Sequence, residues 1–222
     1  MNAGVKTGIF LNGGVMKERR YITRQEMRLL LHATREGRHY LRDRCMIIFG
    51  YMHGLRVSEL AGLKVTDIDL LSGYIYIRRL KGGFSTTHML TETERKALSE
   101  WLKIRPGYIK ENVPWLFLTS GGNRMSRQQF YKLLRRYSEK SGLPINIHPH
   151  MLRHGCGYDL ADQGLDTRLI QDYLGHKNIR HTVHYTAGNA ARFSVVWQAV
   201  PPPGNIFGEY STGGCMDAIP TA

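Results

Sequence analysis

The segment from Cys45 to Tyr51 is almost continuously apolar, and this run constrains the fold more than any other feature of the chain. We expect a helix from about Tyr40 to Tyr51, which would present apolar side chains on every face along most of its length. Such a helix is stable only when other elements cover all of its sides, so it should lie at the centre of the core. Gly54 follows and predicts where this helix ends.

Side-chain caps predict where other helices begin. Thr23 and Thr91 are each followed three residues later by a glutamate, Glu26 and Glu94, which is the capping-box pattern. Ser126 is expected to cap a helix rich in basic residues. The helices predicted beyond the first two are residues 57–63, 91–104, 126–142, 149–163, 167–174, 179–185 and 189–198.

A small antiparallel sheet is predicted between two of these helices. Residues 74–78 alternate, a turn at 81–83 contains two glycines, and residues 84–90 return as the second strand. The short apolar run 115–118 is interpreted as a third strand. The expected fold class is therefore mainly α (α+β), a helical bundle with a small antiparallel β-sheet or hairpin.

The chain of 222 residues has room for one large domain. We expect a flexible basic arm at residues 1–20, a folded domain at 21–199, and a flexible tail at 200–222 that begins with three prolines. Met16 begins a segment that resembles a natural protein start, so translation from Met16 is an alternative to translation from Met1.

The charge balance favours a nucleic-acid partner. Lysine and arginine total 31 against 18 acidic residues, a net charge of +13, which attracts polyanions. Three widely spaced cysteines, at 45, 156 and 215, argue against a disulfide framework or a zinc site of paired cysteines. No apolar run reaches the roughly 18 residues that a membrane span needs, and no secretory leader is evident. We therefore expect a cytoplasmic, nucleoid-associated protein without a membrane partner.

Several polar residues are suited to phosphoryl transfer. His150 and Arg153 are three residues apart in a predicted helix, so both side chains can point at one ligand. A histidine can move a proton, and a planar guanidinium can hold two nonbridging phosphate oxygens. Arg56 adds a cation at the start of another helix, where backbone amides also favour an anion. Lys81 stands at the tip of the predicted hairpin.

This ordered set resembles the signature of the tyrosine recombinase (phage integrase) family. The resemblance covers about residues 21–192, and it makes residues 21–199 the catalytic domain. It implies that a tyrosine attacks the scissile phosphorus and leaves a 3′-phosphotyrosine and a free 5′-hydroxyl, without a metal or any other cofactor. Each residue alone has an ordinary structural explanation, but helix packing does not require the set in this order. The catalytic residues that the resemblance implies are Arg56, Lys81, His150, Arg153, His176 and Tyr185.

The resemblance also implies the role of each catalytic residue. The two arginines and His176 stabilise the charge of the transition state, with Tyr185 as the nucleophile. Lys81 is the general acid for the 5′-oxygen, and His150 is the base for the tyrosine proton. Glu59, one turn after the first arginine, is a candidate for orienting a catalytic side chain. The histidine after the second arginine, at position 154, is expected to pack behind that arginine, outside the catalytic set.

Residues 78–86, 148–158 and 167–182 resemble one group within the family, the fimbrial phase-switch recombinases. Those proteins invert a promoter-bearing DNA element between short inverted repeats, and they lack the separate N-terminal core-binding domain of most relatives. The resemblance implies double-stranded DNA with inverted repeats as a partner. It also implies a tetramer on two sites through exchange of the helix at 189–198, with packing of this helix into the local core as the alternative. DNA-bending accessory proteins are further expected partners.

The basic helix at 126–142 is interpreted as a reader of the DNA major groove, with a solvated surface as the alternative. Its cations are expected to contact phosphates, and the polar residues at its N-terminal end are expected to reach base edges. The DNA-binding candidates are Arg127, Gln128, Gln129, Lys132, Arg135 and Arg136.

Three other functions fit parts of the pattern. A DNA-binding regulator that had lost its chemistry would have no use for Tyr185, so the intact set argues against it. A type IB topoisomerase shares the tyrosine chemistry, but it would relax DNA without sequence preference or strand exchange. An integrase or resolvase of the same family stays open, because only segments 84–86 and 148–150 favour an invertase.

Overall fold

The apolar helix is the central element of the computed structural model, which describes residues 19–80 and 82–187. This helix, α2, spans Tyr40–Met52, and every residue from Cys45 to Tyr51 is buried. Helices from both halves of the chain pack against it, because a helix that is apolar on all sides must be covered on all sides. The prediction of a central helix is confirmed.

In the described part of the chain, seven further α-helices and three strands surround α2. The mainly α fold class with a small antiparallel sheet is confirmed. The predicted helix at 189–198, most of the arm and the tail lie outside the described residues. The helices are α1 Arg24–Ala33, α3 Val57–Ala61, α4 Glu92–Ile104, α5 Arg127–Lys140, α6 Pro149–Asp162, α7 Thr167–Leu174 and α8 Arg180–Thr186. The strands are β1 Ile68–Asp69, β2 Tyr74–Ile77 and β3 Thr86–Met89.

Both predicted capping boxes are confirmed. The hydroxyl of Thr23 accepts the backbone N–H of Glu26 at 3.3 Å, and the glutamate accepts the N–H of Thr23 at 2.9 Å. Thr91 and Glu94 repeat this reciprocal pair at 3.4 and 2.8 Å. Each box satisfies backbone N–H groups that the first turn of a helix leaves without partners, and this local chemistry fixes where α1 and α4 begin.

The sheet differs from the prediction in its third strand, which is β1 and not the run 115–118. β1 pairs antiparallel with β2, and β2 pairs antiparallel with β3. The apolar run 115–118 makes isolated bridges to other segments and does not belong to this sheet, so its prediction as a strand is wrong. The side chains of Trp101 and Arg105 donate to the carbonyl of Leu116 at 3.0 and 3.1 Å. The run is buried against α4, and side chains supply hydrogen bonds that a strand neighbour would otherwise provide.

The described residues form two apolar clusters that meet beside the end of α2. The larger surrounds α2, and the smaller lies between α6, α7 and α8. No helix within the described ranges is long and apolar enough to cross a lipid bilayer. The members of the smaller cluster are Cys156, Ala161, Ile170, Leu174 and Tyr185.

Replacement of Thr91 by alanine removes the hydroxyl that caps α4 and should lower the free energy of unfolding by about 1 kcal/mol. Thr91→Ser keeps the hydroxyl and is the matched control, with a stability close to that of the wild type. Urea denaturation followed by circular dichroism measures both variants. Equal losses in the two variants would contradict the capping argument.

Candidate active site

Gly54 turns the chain from α2 towards α3. Its φ of +54° lies in the left-handed region, and a Cβ at this position would lie 2.4 Å from the side chain of Leu174. The turn therefore requires glycine for both its backbone conformation and its close contact. Arg56 follows at the N-cap position of α3, and its side chain is 26% exposed. The guanidinium is thus held at the surface end of a tightly packed turn.

The carboxylate of Glu59 is buried and accepts four hydrogen bonds. The N–H and Nη1 of Arg56 donate at 2.9 and 2.8 Å, Nη1 of Arg79 donates at 3.1 Å, and the N–H of Leu80 donates at 3.2 Å. Burial acts to raise the pKa of Glu59, but the hydrogen bonds from Arg56 and the charge of Arg79 outweigh it, and the pKa is lowered. The charged carboxylate therefore connects Arg56 to the residues that follow β2, Arg79 and Leu80. This contact is what the predicted role of Glu59 in orienting a catalytic side chain requires.

Arg79 is a buried residue that the sequence analysis did not single out. Besides the glutamate, its guanidinium Nη2 donates to the carbonyls of Tyr173 at 2.6 Å and His53 at 3.2 Å. One side chain therefore connects the end of α2, the hairpin and the end of α7. A signal was present, because the alternation of Ile75, Ile77 and Arg79 puts the arginine on the buried face of the strand. A buried arginine requires hydrogen-bond acceptors, and here the glutamate and two backbone carbonyls provide them.

Arg153 is buried on α6 and is held by two other segments. Its guanidinium donates Nη1 to the carbonyl of Gly54 and Nη2 to the carbonyl of Leu174, the latter at 2.8 Å. Burial and the charges of Arg56 and Arg79 lower the pKa of Arg153 to about 10, so the group remains charged at neutral pH. Three guanidiniums interact electrostatically here, and the glutamate carboxylate of α3 forms ion pairs with only Arg56 and Arg79 among them. This excess of positive charge favours a phosphate.

His176 follows α7, which ends at Gly175 with a φ of +63°. Its Nδ1 lies 2.8 Å from the hydroxyl of Thr182 on α8. Burial and the charges of Arg153 and Arg56 lower the pKa of His176 to about 3, so the ring is neutral at physiological pH. If the threonine hydroxyl donates to Nδ1, the remaining proton is on Nε2, which can donate to a phosphate oxygen.

Tyr185 is only 2% exposed and belongs to the smaller apolar cluster. Its ring packs on Gly157, where a Cβ would lie 2.6 Å from the ring. The ring centroid is 6.4 Å from that of His176. The hydroxyl lies 2.9 Å from Nδ1 of His154, a contact that the sequence analysis did not anticipate, since it expected this histidine to pack behind the arginine. Burial raises the pKa of Tyr185, so its hydroxyl is protonated at neutral pH.

A cavity of about 440 Å³ opens along the first turns of α6. His150 is exposed in its wall, next to His148 and His154, and Arg19 and Arg20 line it from the segment before α1. The cavity is therefore lined by cationic or titratable side chains. The predicted base, His150, therefore lies beside His154, the histidine that contacts the predicted nucleophile.

Five of the six predicted catalytic residues lie in the described part of the chain. Arg56, Arg153 and His176 interact electrostatically, and Tyr185 lies beside them, whereas His150 lines the adjoining cavity. Lys81 lies outside the described residues.

All six DNA-binding candidates on α5 are exposed. Three of them have contacts with described residues. Gln129 accepts the N–H of Ser126 at 2.8 Å, and Arg135 pairs with Glu139 at 3.0 Å. Arg136 lies over the ring of Tyr137 and 3.7 Å from the carboxylate of Asp43. Gln129 thus completes the helix cap as well as being a base-reading candidate. The set consists of Arg127, Gln128, Gln129, Lys132, Arg135 and Arg136.

Glu59→Gln should remove a pH-dependent part of the stability. Because the folded pKa of Glu59 is below its unfolded value of about 4.3, its contribution is complete above that value and is lost as pH falls through the folded pKa. The variant should lose about 3–5 kcal/mol at pH 7, and this difference from the wild type should shrink on acidification below pH about 4. Denaturant titrations across pH test this. Glu139→Gln, at a carboxylate 59% exposed, is the control, and a Glu59→Gln difference independent of pH would contradict the argument.

Comparison with known proteins agrees with this geometry. The model of the phage integrase family matches residues 20–192. The type 1 fimbriae regulatory protein FimB of Escherichia coli strain K12 is 51% identical over 181 residues, which cover 82% of this chain and 90% of FimB. FimE of the same strain is 49% identical over 184 residues, which cover 82% of this chain and 93% of FimE.

Solved structures share the fold over most of the described region. The crystal structure of XerA recombinase has a TM-score of 0.70 at 27% identity and is covered over 65% of its length by 82% of this chain. The XerH site-specific recombinase in a post-cleavage complex with its difH substrate has a TM-score of 0.66 at 26% identity, with 80% of this chain and 53% of that chain covered. The chain thus spans about two thirds or less of these longer recombinases. It belongs to the phage integrase family and is a site-specific recombinase of the tyrosine type.

Proposed function

We propose that this protein inverts a DNA element between short inverted repeats and thereby switches the expression of fimbriae. The identity of 51% to FimB extends over 90% of that relative, and both FimB and FimE are named as regulators of type 1 fimbriae. The observation that carries the chemical part is the convergence of Arg56, Arg153 and His176 beside Tyr185.

In the proposed reaction, Tyr185 is the nucleophile. Its oxygen forms a bond to the scissile phosphorus while the bond to the 5′-oxygen breaks, which gives a 3′-phosphotyrosine and a free 5′-hydroxyl. The phosphodiester energy is kept in the adduct, so religation to a partner strand requires no nucleotide. Arg56, Arg153 and His176 donate to the nonbridging oxygens. The arginines are already fixed by Glu59 and by backbone carbonyls, so little reorganisation is needed when charge develops.

Two further residues complete the proton transfers in this proposal. Lys81 protonates the departing 5′-oxygen, and His150 faces the DNA backbone as the residue to which the family resemblance assigns the role of base. Lys81 comes directly after Leu80, whose N–H is bonded to Glu59, so its loop starts from a fixed point next to the first arginine. His150 is exposed in the cavity wall, where a DNA backbone can reach it.

The proposed partner is double-stranded DNA that carries inverted repeats. The exposed side chains of α5 would contact it, with the cations on phosphates and the residues of the first turn on bases. XerH, a structural neighbour, was crystallised on its DNA substrate. We further propose that four copies assemble on two DNA sites and exchange residues 189–198. DNA-bending proteins would assist this assembly. It would take place in the cytoplasm, on the nucleoid.

Tyr185→Phe should abolish covalent attachment to DNA while DNA binding persists, because phenylalanine lacks the attacking oxygen. The chain is expressed with a tag in a bacterium related to E. coli, cells are lysed in hot detergent, and only DNA that survives on the protein is sequenced. The wild type should retain DNA ends between inverted repeats. Tyr40→Phe, at a 43% exposed tyrosine on α2, is the control and should retain them as well.

The alternatives give different results in this experiment. Adducts scattered over the genome without repeats would identify a topoisomerase. Binding without adducts in the wild type would identify a regulator without chemistry. Adducts at the junctions of excised or inserted elements would identify an integrase or resolvase.

Lys132→Gln should weaken DNA binding equally on specific and unrelated sequences, and it should reduce the slope of log K against log salt by about 1. Gln128→Ala should instead lower the preference for the specific site with little change in the slope. Fluorescence anisotropy over a salt series measures both quantities. Lys103→Gln, at an exposed lysine on α4, is the control, and an equal slope change there would contradict a specific role for α5.

A further inference from the structure

The hydroxyl of Tyr185 and the ring of His154 form the contact that the proposed mechanism leaves unexplained. Nδ1 of His154 lies 2.9 Å from the tyrosine oxygen, which is within hydrogen-bond distance. We propose that His154, rather than His150, takes the proton of Tyr185 when the tyrosine attacks DNA, and returns it when the tyrosine leaves. This inference rests on the proposed nucleophile.

The surroundings of Tyr185 hold its hydroxyl towards this histidine. The ring occupies the space above Gly157, one turn of α6 after His154, and a Cβ at that glycine would collide with it. The ring of His184 is 3.8 Å away and that of Tyr158 is 5.1 Å away, measured between centroids. Two helices and a glycine thus fix the direction of the hydroxyl, so the contact results from close packing.

His154 has a route for the proton that it receives. It is partly exposed and lines the cavity that also contains His150, Arg19 and Arg20. A buried base would keep its proton, whereas this ring can exchange with solvent or with a bound DNA backbone. His150, exposed in the same wall, is then suited to donating to a phosphate oxygen.

The charge around His154 fits a base that becomes stronger when DNA binds. Burial and the neighbouring cations lower the pKa of His154 to about 4, so the ring is neutral at physiological pH and can accept a proton. Phosphates in the cavity would offset the repulsion from these cations and raise the pKa towards its ordinary value. The groups responsible, besides burial, are His184 on α8 and His150, Arg153 and His148 on or beside α6; Arg19 and Arg20 face the same cavity.

The proposed step is balanced. The Oη–P bond forms, the P–O5′ bond breaks, and the proton of Oη moves to Nδ1 of His154. The proton needed by the 5′-oxygen comes from the separate general acid. In religation, a 5′-hydroxyl attacks the phosphotyrosine and returns its proton to the separate general acid. The P–O5′ bond forms, the Oη–P bond breaks, and the departing oxygen of Tyr185 recovers its proton from His154.

Single-turnover cleavage of a nicked DNA substrate tests the inference, because the nicked strand diffuses away and traps the adduct. His154→Ala should cleave about 10²–10⁴-fold more slowly than the wild type, the usual loss when a general base is removed. Added imidazole should restore a large part of the rate, since it can enter the cavity beside the missing ring. Substituted imidazoles of higher pKa should restore more. His32→Ala, at an exposed histidine on α1, is the control and should cleave like the wild type.

His154→Gln keeps a hydrogen-bonding side chain and serves if the alanine variant does not fold. This variant should have the DNA affinity and the melting temperature of the wild type. Its cleavage rate should be as low as that of a variant without a general base. Cleavage by either variant within about threefold of the wild type would overturn the inference, given the size of general-base effects. A slow, folded His154→Ala that imidazole does not restore would also overturn it. If the wild type forms no adduct, the proposed function fails instead.

Discussion

The buried carboxylate of Glu59 is the interaction on which the site depends. Glu59 lies on α3, and Arg56, at the N-cap of the same helix, donates to it. Arg79 and the N–H of Leu80 donate to it from the hairpin. A buried charge is tolerated only when its partners are in place, so the glutamate cannot remain there unless both segments meet it. This requirement fixes the position of Arg56 relative to the hairpin.

Arg153 is held in a similar way, but its partners are backbone carbonyls and not a carboxylate. Arg153 is held by backbone oxygens of Gly54 and Leu174, which terminate α2 and α7. Because these partners are neutral, they orient the guanidinium without cancelling its charge. The site therefore holds its cations rigidly and keeps a net positive charge, which is the arrangement that an anionic, pentacoordinate phosphorus requires. Helix ends supply the partners, since their carbonyls lack helical hydrogen bonds.

The proposed nucleophile, Tyr185, is held by a different part of the core. Tyr185 is packed in the small apolar cluster between α6, α7 and α8, whereas the arginines are fixed from the end of α2 and from the hairpin. Burial keeps its hydroxyl protonated, and the histidine that it contacts is neutral. Attack on DNA therefore needs both a proton acceptor and access for the phosphate. We propose His154 as the acceptor, because it contacts the hydroxyl of Tyr185 and lines the cavity along α6.

Much of this could be read from the sequence because its causes are local. The apolar run 45–51 predicted α2, and two capping boxes predicted the starts of α1 and α4, since each box is a contact between residues three apart. The order of the motifs predicted the family, which the comparisons confirm. The run 115–118 was predicted wrongly as a strand, because its apolar composition suits any buried segment and its hydrogen-bond partners are the side chains of Trp101 and Arg105.

The sequence by itself determined the fold class, the main helices and the set of residues available for phosphoryl transfer. Only the tertiary structure decided which of them touch. Glu59 and Arg79 are 20 positions apart, and His154 and Tyr185 are 31 apart, so no periodicity of a single helix or strand relates them. These contacts exist because packing of the two cores brings separate elements together, and local sequence patterns do not encode that packing.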